Sequence, residues 1–198
     1  MTATPDAWTE FCLIGIKRER DSSEVQFAAL TEDITGLDFG DKEIEGMPLL
    51  NGGRVAKLTP MADESVTLKV YPVSALLDGT GVMQHMHPGT ADDTTAPISV
   101  TNSNLRQKHR LVIVWATTLP ATAEAATEAD AAAYRITVAN AYMTSYKPSF
   151  DDKLMSAEIT FKWVPFTKGA LGNKKEESTN SGGTVLPAVS ATPLDVNA

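Results

Sequence analysis

A chain of 198 residues, 42% hydrophobic and 21% charged, has room for one large domain or two small ones, and a single globule of that size buries roughly 70% of its unfolded surface. A formal net charge of −8 argues against a nucleic-acid binder of the gripping kind, which needs a basic stripe, and disfavours attraction to anionic lipid. The single cysteine, Cys12, excludes an internal disulfide framework and reads as a buried, inert thiol.

Residues 1–10, "MTATPDAWTE", are acidic and lack the apolar run of a signal peptide; they read as an N-terminal arm. Residues 1–50 hold eleven acidic and four basic residues, a local net charge of −7. A solvated face is the plain reading of that excess. The sharper reading is a surface that must not adhere to a polyanion. "FCLIGIKR" (11–18) is apolar enough for a strand buried on both sides, and "EVQFAALT" follows after the turn-like "ERDSS".

Residues 33–55 break the period. Five of the thirteen glycines lie there, among short apolar couplets. We read 33–53 as an extended, Gly-jointed loop or loose hairpin closed by the turn "NGG". Its couplets are Leu37/Phe39 and Met47/Leu49/Leu50, which could cover one end of the chain's own fold. "ESVTLKVYP" (64–72) alternates, with Val66, Leu68 and Val70 on one face, and Pro72 ends it. A long loop spans 73–104.

"HRLVIVWATT" is apolar on both faces, the mark of a central strand covered on both sides. Its core, "LVIVWA", is the longest unbroken apolar run, far short of the about 20 residues that a membrane-spanning helix needs. "ATAEAATEADAAAY" (121–134) is rich in strong helix formers and predicts one short helix. "YRITVANAYMTSYKP" then alternates over a long stretch, Tyr134, Ile136, Val138, Tyr142 and Tyr146 sharing a parity that Asn140 interrupts. After the turn "KPSFDDK", the stretch "KLMSAEITFKW" alternates again. Met155, Ala157, Ile159, Phe161 and Trp163 take one face. Together these two strands make a long two-faced hairpin, with Arg135, Thr137, Ser145, Ser156, Glu158, Thr160 and Lys162 on its polar side. Residues 168–198 lose all pattern and read as a flexible C-terminal arm.

The fold predicted is mainly β, an antiparallel β-sandwich or barrel with the one short helix, and a single domain over 11–167 between the two arms. Strands do not alternate with helices, so a nucleotide-binding α/β fold is excluded. "MQHMHPGT" places His85 and His87 on one face if extended, yet no Cys, Asp or Glu completes a metal set at a recurrent spacing. No nucleophile elbow, Walker loop, HExxH or CxxC occurs. We therefore expect no catalytic residues, no metal, no cofactor and no enzyme activity.

"FDDKLMSAEITFKWVPFTKGALGNKKEEST" resembles the closing strand and tail of the major tail tube proteins of long-tailed bacterial or archaeal viruses. "ESVTLKVYP" followed by a large loop and "HRLVIVWATT" resembles their middle strands, and "NAYMTSYKPSF" the strand that pairs with the last one. The likeness covers roughly 64–180 and is one of pattern and order. It implies a virion tail protein made in the host cytoplasm. Six copies would form a ring, rings would stack, and sheets of neighbouring subunits would join edge to edge around a lumen that passes double-stranded DNA without specific binding. The loop 33–53 and both arms would reach adjacent copies, with Leu37, Phe39, Met47, Leu49 and Leu50 of the loop docking on the neighbour. A tail terminator, a tape measure protein and baseplate or distal tail proteins would be further partners. On this reading the seven polar residues above line the lumen, and an acidic wall would repel DNA in transit. A plain sandwich would instead turn the same face to bulk solvent. The alternatives weighed are a carbohydrate-binding or host-surface-binding β-sandwich, including a virion decoration module, and, more distantly, a metal-dependent hydrolase using His85 and His87.

Overall fold

The computed structural model describes residues 11–18, 25–30, 34–37, 44–58, 62–72, 108–128, 131–151, 154–166, 172–179 and 185–189. Ten strands follow one another: β1 (Phe11–Arg18), β2 (Val25–Leu30), β3 (Ile34–Thr35), β4 (Ile44–Pro48), β5 (Arg54–Leu58), β6 (Glu64–Pro72), β7 (Lys108–Ala116), β8 (Ala133–Asp151), β9 (Leu154–Trp163) and β10 (Lys174–Ser178). Every pairing between them is antiparallel.

Six strands close on themselves. β1 pairs with β2 and β7, β7 with β8, β8 with β9, β9 with β6, and β6 with β2. The result is a barrel, and its inward positions follow the period of two that each strand carries. Ile14 and Ile16 of β1, Val66, Leu68 and Val70 of β6, Leu111 and Ile113 of β7, and Ile159, Phe161 and Trp163 of β9 fill the interior. The resemblance implied sheets joined edge to edge between copies. Here β9 pairs with β8 on one side and, over Ala157–Trp163, with β6 on the other, so the barrel closes within one chain.

The parity expected for β8 holds only in part. Against β7, Leu111 faces Val138 while His109 faces Ala141; against β9, Phe161 faces Met143 while Thr160 faces Ser145. Each irregularity adds one residue to β8. Asn140, at the first, has φ of 54°, a conformation Asn tolerates better than most residues. The extra residue turns Ala141 and Met143 into the core and leaves Tyr142 exposed. The second bulge restores the original parity, and Tyr146 again packs inward.

The short helix expected over 121–134 is absent from its described residues, 121–128 and 131–134. Its backbone bonds elsewhere: Thr127 N–H donates to the Leu186 carbonyl, and Val189 N–H donates to that of Glu124. A short Ala/Glu segment is marginal as a helix in water, so tertiary partners override its propensity. This segment and 185–189 lie over the outer face of β7 and β8, burying Ala123 and Leu186 against Val112, Val114, Ala116 and Ala133. That explains why β7 is apolar on both faces. It also places part of the expected C-terminal arm on the barrel: 174–178 form β10, paired with β8 from Tyr134 to Val138.

Candidate functional site

The sequence singled out a loop and a strand face, and both can be built from their residues. The loop supplies the first strand and the turn of the hairpin β4–β5, a separate two-stranded sheet whose second strand follows at Arg54. Its turn is closed by Leu49 N–H donating to the Gly53 carbonyl (2.7 Å) and Gly52 N–H donating to that of Leu49 (3.0 Å). Gly52 supplies the positive φ, 81°, that this turn requires, and Asn51 Oδ1 accepts from Gly53 N–H at 3.1 Å. All residues from Ile44 to Ala56 are exposed. They include Ile44 at 69% and Leu50, fully exposed, as well as the cross-strand partners Met47 and Val55 and the tip residue Leu49.

Of the loop residues expected at an interface, Met47, Leu49 and Leu50 sit on this hairpin. Leu37 instead packs against the barrel core, and its carbonyl accepts from Lys174 Nζ at 3.3 Å. Phe39 lies outside the described residues. Ile44 and Val55 were not singled out, although each stands in a short strand with little to bury it.

The strand face divides in two. Arg135 and Thr137 do not face water. Arg135 is 1% exposed beneath the cover formed by 119–128 and 185–189. It donates to Glu177 Oε2 (2.9 Å from one terminal nitrogen, 3.3 Å from Nε), to the Pro187 carbonyl (2.7 Å) and to the Ala125 carbonyl (3.4 Å). One guanidinium thus ties β8 to three chain segments. Burial pushes the Glu177 carboxyl up, but hydrogen bonds from Arg135 and Lys175, with their charges, outweigh it and hold it below the usual range. Arg110, fully buried, pairs with Glu124 in the same cover. Thr137 Oγ1 is buried without a hydrogen-bond partner among the described residues. Ser156 is buried too.

Ser145, Glu158, Thr160 and Lys162 remain together on the open outer face of β6, β9 and distal β8. The register arranges this face in rows. Lys69, Glu158 and Lys147 form one, Thr67, Thr160 and Ser145 the next, and Ser65, Lys162 and Tyr142 the third. Lys147 Nζ lies 2.8 Å from Glu158 Oε1, Thr67 and Thr160 share a hydroxyl hydrogen bond of 3.0 Å, and Lys69 Nζ stands 5.7 Å over the Tyr71 ring. Lys69, Lys147, Glu158 and Lys162 are exposed. Sequence reading missed Ser65, Thr67, Lys69 and Lys147. The alternation of β6 sets Thr67 and Lys69 opposite its apolar face, but only the β6–β9 pairing puts that side next to Glu158 and Lys162.

Among the described residues, no group of three or more His, Cys, Asp or Glu side chains could hold a metal ion. His85 and His87 lie outside the described residues. His109 is buried, its ring edge-on to Phe161 at 5.3 Å. No described helix is long and apolar enough to cross a membrane.

No family model matches the sequence, and no curated protein matches it. Among solved structures, a sheath/tube terminator of an extracellular contractile injection system is similar at 17% identity and a TM-score of 0.44, over 82% of this chain and 94% of that one. The tube-terminating cap of the anti-feeding prophage is similar at 16% identity and 0.44, over 90% and 99%. An Hcp protein is similar at 9% identity and 0.37, over 86% and 98%.

Proposed function

We propose that this chain is a structural subunit that assembles with copies of itself into a tube of the kind found in virus tails and tail-like injection particles. Six copies close into a ring and rings stack. The open face of β6, β9 and distal β8 lines the lumen. Double-stranded DNA in transit and terminator, tape measure and baseplate proteins at the ends complete the set of partners, and the protein resides in the tail of the particle.

The observation that carries the reading is the hairpin β4–β5. A two-stranded ribbon is at best marginally stable alone in water, and this one exposes Ile44, Met47, Leu49, Leu50 and Val55. Such a surface is a liability in a free monomer and an asset in an assembly that covers it. A closed barrel with a polar open face on β6, β9 and distal β8 supports the same reading, as does the order of strands that resembles the tail tube family.

The test is negative-stain imaging of the purified chain beside an I44S/M47S/L50S/V55S variant. The unaltered chain should form rings or tubes. The variant should stay monomeric with an unchanged circular dichroism spectrum, because none of the four side chains fills the barrel. Tubes of normal length from the variant would remove the hairpin as an assembly element, and an unaltered chain that stays monomeric at high concentration would remove the tube.

A further inference from the structure

The turn of the hairpin β4–β5 carries a chemistry that a purely structural role does not use. Asn51 is followed by Gly52, and no other asparagine of the chain precedes a glycine. A main-chain nitrogen next to an asparagine can attack that residue's own carboxamide, and glycine leaves the attack unobstructed because it has no Cβ. Asn51 and Gly52 are both exposed, so water reaches the pair. The turn holds both reacting groups. Gly52 N–H donates to the Leu49 carbonyl at 3.0 Å, and Asn51 Oδ1 accepts from Gly53 N–H at 3.1 Å. Freeing the Gly52 nitrogen therefore requires the turn to open. That turn belongs to a separate two-stranded sheet whose residues from Ile44 to Ala56 are all exposed, the kind of element that opens locally at small cost.

We propose that Asn51 is a site of spontaneous deamidation, gated by opening of this turn, that makes the apolar tip of the hairpin acidic with time. Gly52 N gives its proton to solvent base and bonds to Asn51 Cγ. The Cγ–Nδ2 bond breaks and ammonia leaves, which closes a cyclic imide. Water then adds to either imide carbonyl. Cleavage of the new Cγ–N bond gives aspartate; cleavage of the original peptide bond gives isoaspartate, whose main chain runs through Cβ and Cγ. The net change consumes water and releases ammonia, with no oxidation or reduction. Either product places a carboxylate next to Leu50, a fully exposed residue of the tip. Isoaspartate also lengthens the main chain between Leu49 and Gly53, whose 2.7 Å hydrogen bond closes the turn. The other described asparagines are held against this reaction. Asn140 Nδ2 donates to Asn173 Oδ1, Asn173 Nδ2 donates to the Val164 carbonyl, and the residues that follow, Ala141 and Lys174, carry a Cβ. One consequence rests on the tube reading above. A carboxylate is costly to bury in an apolar contact, so a hairpin left uncovered loses its ability to assemble, and a covered hairpin keeps it. The modification itself does not depend on that reading.

The experiment ages the full chain at neutral and alkaline pH and maps its peptides by mass spectrometry, beside Asn51→Gln and beside the unaltered chain held in guanidinium. Conversion at Asn51 should rise with pH, because Gly52 N must lose its proton, and should exceed conversion at Asn140 and Asn173 manyfold. It should run several-fold faster in guanidinium, where the turn is always open. Asn51→Gln, whose longer side chain closes a less favourable ring, should stay unmodified at this position and keep the same circular dichroism spectrum. An Asn51 that stays intact in the folded chain would overturn the proposal. So would conversion at Asn140 or Asn173 that keeps pace with it, and equal rates with and without guanidinium would remove the gate. Imaging the aged samples tests the consequence. Ring or tube formation should fall with the fraction converted in the unaltered chain, should hold in Asn51→Gln, and should be low from the start in Asn51→Asp. A fully converted chain that assembles like fresh protein would overturn that consequence. Conversion in a chain that never forms tubes would support the modification and sink the tube, whereas tubes from a chain whose free form keeps Asn51 intact would sink this proposal alone.

Discussion

Arg135 shows how one side chain decides what a strand face is for. A guanidinium that is 1% exposed must have its donors satisfied, and Glu177, Pro187 and Ala125 accept from it. Glu177→Gln keeps the shape and removes the charge, leaving a buried cation without its counter-ion. It should lower stability by roughly 3 kcal/mol in urea unfolding. Its carboxyl is held below the usual glutamate range, so the folded state binds its proton less readily than the unfolded chain. The stability it adds is therefore complete above the ordinary glutamate pKa and is lost as pH falls through the depressed one. The unaltered chain should lose stability on acidification through and below pH about 4, and Glu177→Gln should flatten that loss. An unchanged acid profile would show that Glu177 is not paired in solution. Tyr134, pushed up to about 12 by burial and by the neighbouring Glu176, works at the alkaline end, its ionisation being disfavoured in the fold.

At the scale of elements, β8 is the strand to question. It runs nineteen residues and carries two bulges. Asn140 at the first bulge is anchored by its Nδ2 donating to Asn173 Oδ1 at 2.9 Å, and Asn173 N–H donates to the Pro165 carbonyl. The bulge thereby fixes where β10 begins. Asn140→Val places a β-branched residue at positive φ and should cost about 1–3 kcal/mol beyond the lost hydrogen bond. Asn140→Gly frees the backbone and should cost only the hydrogen bond, roughly 1 kcal/mol. Equal losses in the two variants, read by thermal unfolding, would show that backbone conformation does not constrain this site. Gly36, directly after β3, plays a smaller version of the same part beside β6. Its φ is 82°, and a Cβ there would stand 3.1 Å from the Ser65 carbonyl oxygen.

For the molecule as a whole, closure of the barrel makes stability a shared property of distant strands. Trp163 ends β9, fills one end of the interior, and donates from Nε1 to Glu64 at the start of β6 (2.9 Å). Lys174 of β10 stands 3.8 Å from the same carboxylate and holds Leu37. Loss of Trp163 therefore opens a cavity and strips a buried acid of a donor at once. Trp163→Ala should cost about 3–5 kcal/mol, and Trp163→Phe, which keeps much of the ring, about 1–3 kcal/mol from the unsatisfied carboxylate. A Phe variant as unstable as the Ala variant would assign the whole effect to the Glu64 bond. The barrel also limits exposed edges. β10, one strand beyond the ring, presents the sequence KKEES, a charged edge of the kind that discourages unplanned pairing.

Local chemistry was legible wherever strand periodicity ran without interruption. β6 and β9 have the extent and the inward residues that alternation predicts, and β7 is apolar on both faces because both are covered. The turn of the hairpin was readable from its glycines, since only a residue free at positive φ closes it so tightly. What the chain alone did not reveal depends on partners distant in sequence. An extra residue in β8 reverses parity without any change of composition, so Tyr142 faces out and Met143 faces in. The Ala/Glu segment gave up its helix because the 185–189 segment supplied hydrogen bonds that a short helix cannot better in water. Arg135 and Lys162 carry the same charge on the polar side of neighbouring strands. Only the tertiary structure, by laying a cover over one and none over the other, decided that the first is a clasp and the second a surface.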